Sequence, residues 1–425
     1  MMLKKSKQKE TILQLTKYVT KVIPIIIALI FFIISVLSAI KYSNYIVDEV
    51  HYISASKLIL ETFFPNIKWN WTYKVPEDYI MNNYLNLEHP PLGKFIIIFS
   101  ILLLGDNPLA WRLPGIIMGT CIVVLVYYIG KELGGEIVGI IAAIAVLFDP
   151  MIRSMSKVAM LDIYLAFFTV LSLYMLIVRN NTILSAFIAS LALSVKLNGV
   201  IPLLIIFLSL SVLNYGHFIR YDTIYYAISH IKRLPNRVLK AASHILRVLG
   251  EFTVIAAIVI VVYLIINIPF IVKYGIKGWI DLQIWMVNVH AHFSASHPAV
   301  APPISFQLPY FNWLFNIKPF GLTNEFSAHV NSYGTPLGAF ISLLIPILYI
   351  KNRVEKRRIL ITLWIWFGYI FYVLLYLIGR KMQFIYYLTP ITPAIDVAIG
   401  LTPIIFDEIL QLISAYTKRV RAAYV

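Results

Sequence analysis

Asp48-Glu49-Val50-His51 opens, and Glu88-His89-Pro90-Pro91-Leu92-Gly93-Lys94 closes, the stretch around which this chain is organised. Just upstream, residues 22–40 are almost wholly apolar and long enough to cross a bilayer, with Pro24 in the first turn, where a helix tolerates it. The chain therefore presents two adjacent carboxylates immediately after a predicted membrane crossing. Carboxylates at a membrane face are either solvated loop residues or working groups. The remaining sequence favours the second reading.

Composition sets the class. The 425 residues are 60% hydrophobic and only 13% charged, against about 25% charged in a soluble domain. The expectation is an all-α, polytopic membrane protein. Its net charge of +16 does not point to nucleic acid, because the basic residues lie between apolar runs, where they suit anionic lipid headgroups and topology signals. A single cysteine, Cys121, excludes an intrachain disulfide and a cysteine-rich metal site. The basic start (Lys4, Lys5, Lys7, Lys9) before the first apolar run, with no small-residue cleavage pattern, reads as an uncleaved signal anchor.

Ten crossings are expected, at about 22–41, 113–130, 137–150, 160–178, 182–196, 199–213, 251–272, 336–350, 359–378 and 384–402. Residues 95–104 make only half a span and are placed as an interfacial or re-entrant helix. A helix over 403–416 is expected to lie at the interface. This count puts every strongly basic cluster on one side: 4–21, Lys131, Arg179, 220–247, 351–358 and 418–421. It puts Asp48, Glu49, Glu88, His89, Arg112, Arg153, Asp162, Lys196 and Arg380 on the other. Two long loops fall on that outer side, 42–112 and 273–335, and neither has the Ser/Gly composition of a flexible linker. The inner stretch 214–250 reads as a basic amphipathic helix lying on anionic lipid.

The motifs differ in what they say alone. Asp48 and Glu49, adjacent on a helix, point in different directions, so one can serve as a base while the other orients. Glu88-His89-Pro90-Pro91 breaks helix geometry, each proline restricting the residue before it, which also suits a plain entry turn into 92–104. Arg153 and Lys157, four apart, share a helix face with Asp149 and Asp162 nearby, and Lys196 sits between two apolar runs. Snorkelling to lipid phosphate is the ordinary reading of such cations. A lysine at the edge of the hydrocarbon is costly and marks a candidate site. His290, His292 and His297 are weak candidates for metal ligation, since a His-x-His pair shares a face only in a strand and no cysteine accompanies it. Together, carboxylates and cations converge on one membrane face. Asp396 apart, no span carries the mid-bilayer acid expected of an ion-coupled transporter. Such a face suits group transfer from a phosphate-bearing lipid, with cations on the leaving phosphate and a carboxylate activating the acceptor.

On these residues the chain resembles the protein O-mannosyltransferases of the GT-C fold. Asp48-Glu49 after the first crossing is similar to that family's Asp-Glu motif, and His89-Pro90-Pro91-Leu92-Gly93-Lys94 to its His-Pro-Pro-Leu-Gly-Lys motif. Trp111-Arg112, Leu161-Asp162, Val195-Lys196-Leu197-Asn198-Gly199, Trp313 with Lys318-Pro319, and Arg380 with Tyr386-Tyr387-Leu388 resemble later family elements. The resemblance implies a single GT-C domain over 1–425. It implies transfer of mannose from a polyprenyl (dolichyl-type) phosphate to Ser or Thr hydroxyls of proteins, with inversion, without a metal or other cofactor. Asp48 would be the base and Glu49 would help bind the acceptor. Arg112, Lys196 and Arg380 would contact phosphate, and Glu88, His89, Lys94, Arg153 and Asp162 would complete the donor site. Lys318 departs from the family's usual arginine, and 273–335 is too short for a β-trefoil MIR domain, so another sugar or a lipid or glycan acceptor stays open. The Trp-Trp-Asp signature of oligosaccharyltransferases is missing. The expected setting is the plasma membrane of a prokaryote, taken as archaeal from the isoleucine-rich spans, with the site extracytoplasmic.

Overall fold

The computed structural model describes residues 2–67, 69–229, 235–292, 320–323, 327–380 and 383–423. These residues are nearly all helical. In chain order the helices are α1 (Met2–Ala39), α2 (Glu49–Phe63), α3 (Glu77–Met81), α4 (Leu92–Leu104), α5 (Pro108–Gly134), α6 (Glu136–Phe148), α7 (Pro150–Met155) and α8 (Leu161–Ile177). Then come α9 (Thr182–Val195), α10 (Val200–Ser211), α11 (Tyr221–Ser229), α12 (Asn236–His292), α13 (Gly334–Ile350), α14 (Lys356–Ile378) and α15 (Thr392–Ala423). Two short strands, β1 (Phe320–Gly321) and β2 (Ser327–Ala328), pair antiparallel in what remains described of the second long loop.

Local sequence accounts for the helix ends. The Asn107 and Asn181 side chains accept from the Ala110 and Leu184 amides at 3.0 and 2.9 Å, capping α5 and α9, and Pro108 supplies the first helical residue of α5. Gly105, Gly135 and Gly379 end α4, α5 and α14 with positive φ. The centre is built from α5, α6, α8 and α15. A Cβ on Gly139 of α6 would stand 2.6 Å from the Tyr127 carbonyl of α5, so only glycine lets these helices approach so closely. The outward faces of α1 and α12 carry exposed Ile25, Leu29, Ile33, Ile260 and Ile265, as lipid-facing helices should.

Among the described residues, five helices hold windows long and apolar enough to cross a membrane: α1, α5, α12, α14 and α15. The other expected crossings fall on helices of 12 to 17 residues, below the roughly 20 of a full span. Residues 92–104 form a 13-residue helix, about 20 Å long at 1.5 Å per residue, the same length as α6.

Three boundaries differ from expectation. The second long loop does not begin at 273, because the chain turns at Gly275 (φ 71, ψ 165) and resumes as helix to His292. Most of the rest of that loop, with His297, Trp313, Lys318 and Pro319, lies outside the described residues, as does Lys381. The basic inner stretch is two helices, α11 and the start of α12, with Pro235 directly before the second. The crossing expected at 384–402 and the interfacial helix at 403–416 are one helix, α15, starting at Thr392. Its start is delayed because Pro390 cannot donate an amide hydrogen bond and residues 385–388 take a 3₁₀ turn, while Pro393 falls in the first turn of α15 and Pro403 is absorbed within the helix.

Candidate active site

One end of the bundle holds a cavity of about 480 Å³. Four separate parts of the chain line it: Asp48, His51 and Tyr52 from the start of α2 and the residue before it; Tyr84, Asn86, Glu88 and His89 from the loop before α4; Lys196 from the end of α9; and Trp285, Val289 and His290 from the C-terminal end of α12. Arg380, Phe384, Tyr386 and Tyr387, between α14 and α15, close it.

Asp48 precedes the first residue of α2, and its side chain makes no capping bond there. It is free to face the cavity, where the Tyr386 hydroxyl donates to Oδ2 at 3.3 Å. Glu88 is held from one side: Tyr84 Oη and Asn86 Nδ2 both donate to Oε1, at 2.6 and 2.7 Å. The loop around it is folded by Lys94, whose buried ammonium donates to the Asn86 and His89 carbonyls at 2.5 and 2.8 Å. That is what the lysine of the Pro-Pro-Leu-Gly-Lys segment does here: it ties the loop down and does not line the cavity. His89 is half-buried against Tyr52 and His290, with ring centroids 6.1 and 5.1 Å away, and its buried Nδ1 has no hydrogen-bond partner. Burial first, then the nearby Lys196, holds its pKa well below the usual imidazole value, so the ring is neutral.

The cations come from two chain reversals. Lys196 leaves α9 in extended conformation, and residues 197–199 fold back as a 3₁₀ turn against that helix end. A Cβ on Gly199 would stand 2.2 Å from the Ala192 carbonyl carbon, the physical reason for glycine three residues after the lysine. Lys196 Nζ is bound by both oxygens of buried Asp162, at 2.8 and 3.0 Å. Arg380 follows Gly379 (φ 131). Its Nη2 donates to the Tyr387 hydroxyl at 2.9 Å and its Nη1 to His290 Nδ1 at 2.5 Å. The Tyr387 ring lies between the two cations, 4.6 Å from Lys196 Nζ and 5.5 Å from Arg380 Cζ.

Not every expected site residue reaches the cavity. Arg112 and Glu49, with no solvent exposure, satisfy one another through two bonds of 2.8 and 2.7 Å. Arg112 also donates to the Ala39, Tyr42 and Asn44 carbonyls, and Glu49 accepts from the Ile46 and Ala159 amides. All five guanidinium N–H groups are consumed, so the expectation that Arg112 grips phosphate and Glu49 an acceptor gives way to a buried knot joining α1, α2, α5 and the turn before α8. Asp162 acts only through Lys196, and Arg153 does not line the cavity. Both ring nitrogens of His290 are engaged and His292 Nδ1 is 3.1 Å from the Asn288 carbonyl. No metal-binding cluster of three or more His, Cys, Asp or Glu occurs among the described residues. The sequence reading overlooked His51, Tyr52, Tyr84 and Asn86. The spacing of Asp48, His51 and Tyr52, three and four apart, was the available signal for the first two.

With this geometry established, the relatives become informative. Residues 88–231, which hold the cavity's Glu88, His89 and Lys196, match the family model described as dolichyl-phosphate-mannose-protein mannosyltransferase. That stretch of the chain resembles the family's. Proteins named polyprenol-phosphate-mannose–protein mannosyltransferase match it at 34% identity over 96 residues in Mycolicibacterium smegmatis, covering 22% of this chain and 19% of that one. In Corynebacterium glutamicum the figures are 36% over 90 residues, 21% and 17%. The match thus spans about a fifth of these relatives' length. Both are bacterial, and neither supports the archaeal expectation. Among solved structures, ArnT from Cupriavidus metallidurans, in the apo state and bound to undecaprenyl phosphate, superposes with a TM-score of 0.53 at 14% and 15% identity. Those superpositions cover 91% of this chain and 60% of the other. The architecture is the GT-C glycosyltransferase fold.

Proposed function

We propose that this protein transfers mannose from a polyprenyl-phosphate donor to a hydroxyl of an acceptor protein. The observation that carries the reading is the meeting, in one cavity, of an uncapped carboxylate, Asp48, with the cations Lys196 and Arg380. It is supported by the names of the family and of the relatives matched over residues 88–231, and by undecaprenyl phosphate bound to a protein of the same fold.

In this mechanism Lys196 and Arg380 bind the donor phosphate and neutralise the charge that develops as it leaves. Asp48 accepts the proton of the Ser or Thr hydroxyl. That oxygen bonds to the sugar's anomeric carbon while the carbon–oxygen bond to phosphate breaks and polyprenyl phosphate departs. Attack opposite the leaving group inverts the anomeric configuration. Glu88 is a carboxylate and suits sugar hydroxyls rather than phosphate, with Oε1 already saturated by Tyr84 and Asn86. Asp162 sets the position of Lys196. Ten crossings, with the cavity on the extracytoplasmic side of a prokaryotic plasma membrane, follow from the one-sided basic clusters.

The test is purified protein given polyprenyl-phosphate sugars and a Ser/Thr-containing peptide. Mannosyl peptide should form with wild type and fall at least a hundredfold with Asp48→Asn. Full transfer by that variant, or transfer only of another sugar or only to lipid, refutes it.

A further inference from the structure

Among the described residues, His290 is the one histidine of the second long loop whose ring both lines the cavity and has both nitrogens engaged. It sits near the outer end of α12, in the segment beyond the Gly275 turn. Nδ1 is 2.5 Å from Arg380 Nη1, and the same Nη1 donates to the His290 carbonyl at 3.0 Å. On the far side of the ring, Nε2 is 2.6 Å from the Glu88 carbonyl oxygen.

These contacts admit one protonation state. A guanidinium only donates, so Nδ1 must offer its lone pair. A carbonyl only accepts, so Nε2 must carry the hydrogen. The ring is therefore the neutral tautomer with its proton on Nε2, as burial and then the neighbouring Arg380 demand, lowering its pKa to about 4. The groups facing it are Arg380, the more distant charge of Lys196, the His89 ring at 5.1 Å and the Glu88 backbone.

We infer that His290 is a positioning residue that fixes the plane and direction of the Arg380 guanidinium, so that the arginine's remaining N–H groups meet an anionic phosphate in the cavity. This rests on the donor reading above. Arg380 emerges from a reversal beside a glycine with positive φ, a poor support for a long side chain. Bonds to His290 on one side and to the Tyr387 hydroxyl on the other hold both Nη atoms. The rotamer entropy of the arginine is lost on folding rather than on binding. His290 also links Arg380 to the loop bearing Glu88, so the phosphate-facing and sugar-facing sides of the cavity share one tether.

A merely structural histidine would need only its bond to the Glu88 carbonyl. Two conservative variants separate the roles. In His290→Asn the amide oxygen can take the place of Nδ1 and accept from Arg380. In His290→Gln the amide nitrogen can take the place of Nε2 and keep the Glu88 tether. The experiment measures binding of undecaprenyl phosphate, and KM and kcat for undecaprenyl-phosphate-mannose, on full-length protein in detergent, with thermal midpoints recorded for each variant. His290→Ala should weaken phosphate-lipid binding and raise KM about tenfold or more, as expected for loss of a charge-assisted orienting bond, with a smaller change in kcat. His290→Asn should recover most of the loss and His290→Gln little. In an Arg380→Ala background, His290→Asn and His290→Ala should bind alike. Rescue by Gln rather than Asn, or wild-type binding by His290→Ala, overturns the inference while leaving the donor reading intact. Failure of wild type itself to bind undecaprenyl phosphate overturns the donor reading, and this inference with it.

Discussion

Replacing Arg112 with alanine is the sharpest test of how the two acidic residues divide their work. Arg112 is fully buried and donates five hydrogen bonds: two to Glu49, and one each to the Ala39, Tyr42 and Asn44 carbonyls. The alanine variant strands a carboxylate with no solvent exposure and three carbonyls. Glu49 would keep the Ile46 and Ala159 amides, both at 2.8 Å, which soften the loss without cancelling the charge. Breaking a buried pair by removing one partner costs roughly 3–5 kcal/mol, a large share of the 5–15 kcal/mol that holds a typical domain together. Arg112→Ala should therefore express poorly and melt well below wild type in detergent, as followed by size-exclusion chromatography after heating. Glu49→Gln, which keeps most of the acceptor geometry, should lose less. The two substitutions should be strongly non-additive, since each destroys the same knot. An Arg112→Ala protein that melts like wild type but shows a raised donor KM would refute the structural assignment and return Arg112 to the phosphate site.

Four further outcomes are expected. Removing the Tyr386 hydroxyl with Tyr386→Phe deletes a 3.3 Å bond to Asp48 and should lower kcat by roughly three- to tenfold, about the 0.5–1.5 kcal/mol of an ordinary hydrogen bond, with little change in thermal midpoint. Asp162→Asn removes the charge that Lys196 is bound to at 2.8 and 3.0 Å and should raise donor KM and lower the midpoint together, whereas Lys196→Met should abolish donor binding. Gly139→Ala drives a methyl to 2.6 Å from the Tyr127 carbonyl and should destabilise by about 1–3 kcal/mol, read as a lower midpoint with unchanged KM. His290 has a folded-state pKa of about 4 against an ordinary 6.5, so between these values the unfolded chain binds more protons and stability falls as pH drops. The loss through that window is at most about 3 kcal/mol. It should appear as the difference between wild type and His290→Asn in midpoints measured from pH 7 to pH 4, and equal slopes for the two proteins would count against it.

The membrane class was legible in composition alone, because hydrocarbon demands long apolar helices whatever their arrangement. Asp48, Glu88, His89, Lys196 and Arg380 were each visible as polar residues at the ends of apolar runs, where a charge is expensive and must be used or paired. Gly199 was visible only as part of a family likeness, and the close backbone approach that requires glycine there is a fact of the structure. The choice between using a charge and pairing it was not legible. Glu49 follows Asp48 directly, yet a helix turns its carboxylate away from the cavity and into Arg112, 63 positions along the chain. Lys94 looks like a cavity cation until the loop carbonyls close around it. Helix boundaries near Gly275 and Pro390 were not legible because helix resumes directly after the turn at Gly275, while Pro390 and the 3₁₀ turn before it postpone the start of α15. What the chain order alone determined is which residues had to be buried or fed to a membrane surface. What only the tertiary structure decided is which charges cancel one another and which are left facing an open space, because pairing depends on distances between segments that sequence separation does not encode.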